Sequence, residues 1–199
     1  YTGMMKEYHS PSMDRAIDMH KLIRFLTCAS APNGYLNFIG NEFGHPEWVD
    51  FPREGNNWSY HYARRQWSLV KSSEYKYEWL ANFDRAMTFH INTYRIHTSG
   101  PAQSLWLDND KKLVIFARGG MLYAFNLHPT WSQEEVFVNC RLTGPGGYRV
   151  VFSSDDGPYG GQSRISTEYV YHTQDTEFGC GFWLYLPCRT AVALEKVEW

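Results

Sequence analysis

At 199 residues, with 43% hydrophobic and 20% charged residues, the chain has the make-up of an ordinary globular protein with room for one large or two modest domains. A net charge of −2 argues against nucleic acid or an anionic membrane as partner, and no run approaches the ~18 apolar residues of a membrane span. Aromatics at 17% are the outlier; flat rings stack on sugar faces, which fits a carbohydrate enzyme, although core packing accounts for much of the excess.

In chain order, Tyr1–Ser12 reads as a loop, with Ser10 or Ser12 available as a helix cap and Pro11 acceptable in the first turn. Met13, Ile17, Ile23 and Leu26, joined by Ala16 and Met19, form an approximate 3.6-residue stripe that predicts a helix to about Cys28. Pro32-Asn33-Gly34 ends it. The run Tyr35–Ile39 (YLNFI), with a glycine at each end, predicts a buried strand. A long loop follows, carrying Asn41, Glu42, His45, Glu47, Trp48, Asp50 and Arg53 and then Gly55-Asn56-Asn57. In parallel α/β architectures such loops leave the C-terminal ends of strands, where active sites assemble. Helices are predicted over Tyr60–Val70, with Ser59 as cap, and over Glu74–Thr93.

A change of grammar comes at Gly100-Pro101. Beyond it, short strands are predicted at Ser104–Leu107, Leu113–Ala117, Met121–Leu127, Val136–Asn139, Tyr148–Phe152, Glu168–Tyr171, Trp183–Leu186 and Thr190–Lys196. Gly119-Gly120 makes a hairpin turn between the second and third. That spacing indicates an antiparallel sandwich. Its pairing is local, so residues from about Gln103 are expected to fold without help from what precedes them. Cys28, Cys140, Cys180 and Cys188 show no CxxC spacing, and with no charged-then-apolar leader at the N-terminus they are expected to be thiols. Among His9, His20, His61, His90 and His97 no metal-ligand spacing appears, and no metal or cofactor is expected.

Taken alone, the loop leaves two readings open. Glu42 with Glu47 or Asp50 would suit the carboxylate pair of a retaining glycosidase, about 5 Å apart. Alternatively Glu42 hydrogen-bonds within its loop and Asp50 pairs with Arg53. Asn56 and Asn57 suit turn positions, since Asn tolerates left-handed backbone. Arg64 and Arg65, on a predicted helix, diverge by about 100° and cannot both face one ligand; one is expected to anchor the loop carboxylates. Trp106, Trp131 and Trp183 form either core or a surface platform for sugar.

The stretch NFIGNEFGHPEWVDFPREGNN, followed by SYHYARRQW, resembles the end of the catalytic barrel in glycogen and starch branching enzymes, the 1,4-α-glucan branching enzymes of the α-amylase superfamily. The likeness extends from about Tyr1 to about Tyr148. It implies the C-terminal end of a (β/α)8 TIM barrel over 1–100, with Met13–Cys28 as the helix after strand seven and Tyr35–Ile39 as strand eight. An α-amylase-type all-β domain follows over 101–199, with Ser153–Gln162 as that domain's loop of Asp and Gly residues. A lone strand cannot make a sheet, and the chain begins at Tyr1 without Met, so the missing N-terminal part of a longer polypeptide is expected.

On the same resemblance the nucleophilic Asp, the acid/base Glu and the second Asp lie after strands four, five and seven, upstream of Tyr1, so no catalytic residue is expected here. Asn41, Glu42, His45 and Trp48 are the expected substrate-binding residues. The partner would be an α-glucan (glycogen, amylose or amylopectin) and the compartment the cytoplasm, or the plastid for a plant or alga. A non-catalytic glucan-binding module and an amylase-like hydrolase are the alternatives.

Overall fold

The computed structural model describes residues 1–197. Helix α1 spans Pro11–Ser30 and begins as its capping residues dictate: Ser10 Oγ accepts the Met13 N–H at 3.3 Å, with Pro11 at the first position. It ends at Ala31, in the extended backbone favoured before Pro32. Its buried face is Ile17, Lys21, Leu22, Phe25, Cys28 and Ala29, whereas Ile23 of the predicted stripe faces solvent. Two cations take the inward positions. Lys21 Nζ donates to the Ser154 carbonyl at 2.9 Å and the Tyr159 carbonyl at 3.2 Å, while Arg24 pairs with Asp84 and donates to Tyr35 Oη at 3.1 Å. Partnered in this way, their charges are tolerable inside.

Tyr35–Ile39 is not a strand: it runs irregularly, without a ladder partner among the described residues, and Leu36 is 96% exposed. A strand exists only through a neighbouring strand's hydrogen bonds, and no strand among the described residues pairs with this segment. The helix expected over Tyr60–Val70 shrinks to a single turn, α2 (Ser68–Lys71), preceded by turns in which Trp58 takes a φ of 57°. Its aromatic-rich sequence is a poor helix former, and Arg65 is drawn inward to other partners. Helix α3 (Tyr77–Thr93) matches its periodicity, burying Tyr77, Leu80, Phe83, Met87, His90 and Ile91 on one face.

Among the described residues nine strands follow: β1 (Gln103–Asp108), β2 (Leu113–Arg118), β3 (Met121–Asn126), β4 (Gln133–Asn139), β5 (Gly147–Ser153), β6 (Val170–His172), β7 (Gln174–Thr176), β8 (Gly179–Leu186) and β9 (Thr190–Val197). They form a six-stranded sheet, β1-β2-β3-β9-β5-β6, and a three-stranded sheet, β4-β8-β7, with every pair antiparallel. The β2–β3 turn uses Gly119 and Gly120 at φ 59° and 78°, which only glycine adopts cheaply. All four cysteines are free.

The larger sheet is covered on both faces. Toward the smaller sheet it presents Leu113, Ile115, Leu122, Ala124, Val150 and Leu194, which meet Val136, Val138, Phe182 and Leu184. Toward the helices it presents Phe116, Tyr123, Phe125 and Phe152, closed over by Leu22 and Phe25 of α1 and by Phe83 and Met87 of α3. This accounts for β3 being buried at all six residues, with Met121–Phe125 an unbroken run of hydrophobic side chains. The strands, expected to need nothing from the first hundred residues, here share a core with α1 and α3.

Candidate functional site

Residues 40–66 assemble around Arg65, which is only 8% exposed. Its Nη1 donates to the Glu47 carbonyl at 2.8 Å and contacts His45 Nδ1 at 2.9 Å, and its Nη2 donates to the carbonyls of Trp48, at 3.3 Å, and Tyr62. The anchoring Arg is therefore Arg65, and it holds loop carbonyls, not the carboxylates expected of it. Gly40 makes room for it: at φ 92°, a Cβ there would lie 2.7 Å from Arg65 Cδ and 3.0 Å from His45 Cβ. Phe43, fully buried beneath the loop against Leu80 and Tyr77, ties it to α3.

Above this frame lies a hollow of about 550 Å³, lined by Phe38, Ile39, Asn41, His45, Trp48, Phe51 and Arg65 among others. Trp48 stands 63% exposed against the Tyr62 ring, centroids 5.9 Å apart. Three expected site residues, Asn41, His45 and Trp48, thus meet at one surface. Glu42 does not join them: its Oε2 accepts the Gly40 N–H at 2.8 Å, and the residue borders a neighbouring hollow with Trp67 and Asp84. Its geometry is that of the loop-internal reading. Phe38, Ile39 and Phe51 are the lining residues that sequence reasoning missed, because an apolar run such as YLNFI reads as buried.

The two further candidate carboxylates, Glu47 and Asp50, are each engaged by neighbouring side chains. Tyr1 Oη donates to Glu47 Oε1 at 2.8 Å and Gln66 Nε2 does so at 2.7 Å, holding the Glu47 carboxyl below its ordinary value. Arg53 Nε at 2.9 Å and Asn56 Nδ2 at 2.9 Å do the same for Asp50, in line with the Asp50–Arg53 reading. A general acid needs its proton near neutrality, so neither Glu47 nor Asp50 is held in the protonated form that role requires. Among the described residues no group of three His, Cys, Asp or Glu is placed to hold a metal ion, and no helix is long and apolar enough to cross a membrane.

Residues 106–197 match the family model of the α-amylase C-terminal all-β domain. A 1,4-alpha-glucan-branching enzyme of Solanum tuberosum is 46% identical over 164 residues, covering 82% of this chain and 19% of that protein. A chloroplastic/amyloplastic 1,4-alpha-glucan-branching enzyme of Oryza sativa subsp. japonica is 39% identical over 210 residues, covering 100% of this chain and 25% of that protein. The β-domain is thus similar to the α-amylase C-terminal family, and the chain as a whole to 1,4-alpha-glucan-branching enzymes. It spans about a fifth to a quarter of the length of these two curated proteins. Among solved structures, a debranching enzyme from Nostoc punctiforme superposes with a TM-score of 0.57 at 19% identity, covering 92% of this chain and 31% of that one. At that identity the likeness shows the fold alone.

Proposed function

We propose that the chain is the C-terminal portion of a 1,4-α-glucan branching enzyme, with 1–100 closing its catalytic (β/α)8 barrel and 101–199 forming its all-β domain. The whole protein would cleave an α-1,4 glucosidic bond with retention. A carboxylate attacks C1 to form a glucosyl ester, and an acid gives its proton to the departing 4-oxygen. A 6-hydroxyl of an acceptor chain then attacks C1 and yields its proton to the same residue, which frees the carboxylate and leaves an α-1,6 branch. These steps belong to residues upstream; the present chain supplies part of the wall that holds the glucan. In the whole protein, neighbouring barrel strands would pair with Tyr35–Ile39 and cover its exposed apolar side chains.

The observation that carries this reading is the hollow itself. Exposed Trp48 stands beside His45 and Asn41, the first two anchored by buried Arg65 and Asn41 by Asn37. A ring offers its face to a sugar, and Asn and His offer hydrogen bonds to hydroxyls. Glu42 serves this wall as a support for the Gly40 turn. The compartment we propose is the cytoplasm, or the plastid if the source is a plant or alga; the rice relative's name carries the plastid designation.

The test is kinetic, in the full-length polypeptide. A stacked ring contributes similarly to ground and transition states, so Trp48→Ala should raise KM for amylose more than it lowers kcat. Residues 1–199 alone should form no α-1,6 linkages in iodine-stain and debranching assays. An unchanged KM in the variant, or branch points made by the fragment, would defeat the proposal.

A further inference from the structure

Along β4 and β8 the side chains alternate between the sandwich interior and its outside. Val136, Val138, Phe182, Leu184 and Leu186 fill the inter-sheet core. Outward positions on such a sheet are normally polar. Here the cross-strand pair Phe137 and Trp183 stands outward, ring centroids 5.1 Å apart, and Phe178 from the β7–β8 turn closes on them at 5.8 and 6.2 Å. Phe178 is 58% and Trp183 38% exposed, so this cluster is not core. Exposed aromatic clusters of this kind mark binding surfaces.

The cluster forms one wall of a groove of about 410 Å³. Leu105 and Trp106 of β1 form the other wall. Because β1 and β4 are the edge strands of the two sheets, the groove is the open seam of the sandwich. Arg141 spans it, Nη2 donating to the Ser104 carbonyl at 3.1 Å. Lys111 Nζ lies over the Trp106 ring, 5.6 Å from its centroid, so on that wall a donor and not a ring face meets whatever enters. The Glu135 carboxylate at the rim has no hydrogen bond or ion pair among the described residues.

We propose that this seam binds a segment of α-glucan, at a place apart from the hollow of Asn41, His45 and Trp48; the choice of ligand rests on the substrate class of the proposed function. A pyranose has apolar C–H faces and an equator of hydroxyls. The faces stack on Phe178 and Trp183, and the hydroxyls meet donors on Lys111 and Arg141 and the acceptor Glu135. Two cations against one carboxylate leave the groove with a net charge of only +1, which admits an uncharged polyhydroxyl ligand. A polyanion would meet Glu135 with too little basic charge to offset it. Gripped here, a long glucan stays tethered to the polypeptide while another stretch occupies the first hollow, raising its local concentration there.

The experiment is affinity electrophoresis of the 199-residue chain in amylopectin gels, with maltoheptaose titrated against intrinsic tryptophan fluorescence. Trp183→Ala and Phe178→Ala should each weaken maltoheptaose binding about tenfold, the worth of one stacked ring. Trp183→Phe should stay within about threefold of wild type, since a ring remains. Both alanine changes lie on the outer face, and circular dichroism melts check that the fold persists. Three results would overturn the proposal: undiminished binding in both alanine variants, loss of binding in Trp48→Ala alone, or a dimer dissolved by Trp183→Ala, which would give the seam to a second copy of the chain. A wild-type chain that binds no glucan would overturn it too, while the branching assay on the full-length polypeptide judges the proposed function separately.

Discussion

Replacing Phe25 with alanine puts the shared core to a quantitative test. Phe25 is fully buried, and its ring sits 4.6 Å from Phe152, 5.5 Å from Phe125 and 5.8 Å from Tyr123, with His90 at 5.9 Å across on α3. Phe-to-Ala changes in cores cost about 3–5 kcal/mol through lost transfer energy and the cavity left behind. The upper part of that range applies here. The cavity would be walled by large rings carried on β3, β5 and α3, and those elements cannot collapse together without breaking the β3–β9–β5 ladder. For a chain of this size the loss corresponds to a drop in Tm of roughly 6–20 °C, and against a total stability of about 5–15 kcal/mol it is a large share. Calorimetry measures the size of the effect, and amide hydrogen exchange locates it. Because the core is continuous, protection should fall together in α1, β3 and β9. If α1 loosened while β3 and β9 kept their protection, the strands would stand without the helices and the shared-core reasoning would be wrong.

Other outcomes follow from individual side chains. Arg65→Met removes four contacts of a guanidinium, so hydrogen exchange and proteolysis should increase at 45–50 while Tm changes little, because water reaches the freed carbonyls. Burial holds the His90 imidazole down at about 4, against about 6.5 in an unfolded chain, so the unfolded state takes up the proton first as pH falls. Stability should therefore decline between about pH 6.5 and 4, by at most about 3 kcal/mol, and urea melts of His90→Phe should show a flatter profile over that range. Burial raises the Asp155 carboxyl, but the Arg164 fork and the Arg164 and Gln162 N–H groups outweigh it and hold the group below its usual value. The stability it provides is present above about pH 3.9 and lost as pH falls through its lowered native value, and Asp155→Asn should erase that acid slope.

The first hollow is partly legible in the chain itself. The loop's resemblance to the end of the branching-enzyme barrel points to Asn41, His45 and Trp48, and these do meet at one surface. The inward turn of Glu42 is one of two readings that the residues leave open. Only the fold distinguishes them, because whether a carboxylate faces a cleft or its own backbone depends on where Gly40 bends. An anchoring arginine is foreseeable, but its partners are not. Side-chain spacing shows that Arg64 and Arg65 diverge; it does not show which carbonyls a folded loop turns toward one of them.

Local features are written in the amino acids alone. Ser10-Pro11 starts α1, the spacing of Tyr77, Leu80, Phe83 and Met87 writes α3, and Gly119-Gly120 forces the β2–β3 hairpin, since each signal and the structure it specifies lie within a few residues. Whatever depends on distant neighbours emerges only when the chain folds. Lys21 is inside because carbonyls at Ser154 and Tyr159 come to meet it across more than 130 positions of chain. Tyr35–Ile39 has the composition of a strand and is not one, because a strand needs hydrogen-bonding neighbours and composition cannot supply them. The second face of the large sheet is buried because two helices lie on it, and apolar residues state that they require cover without stating what will provide it.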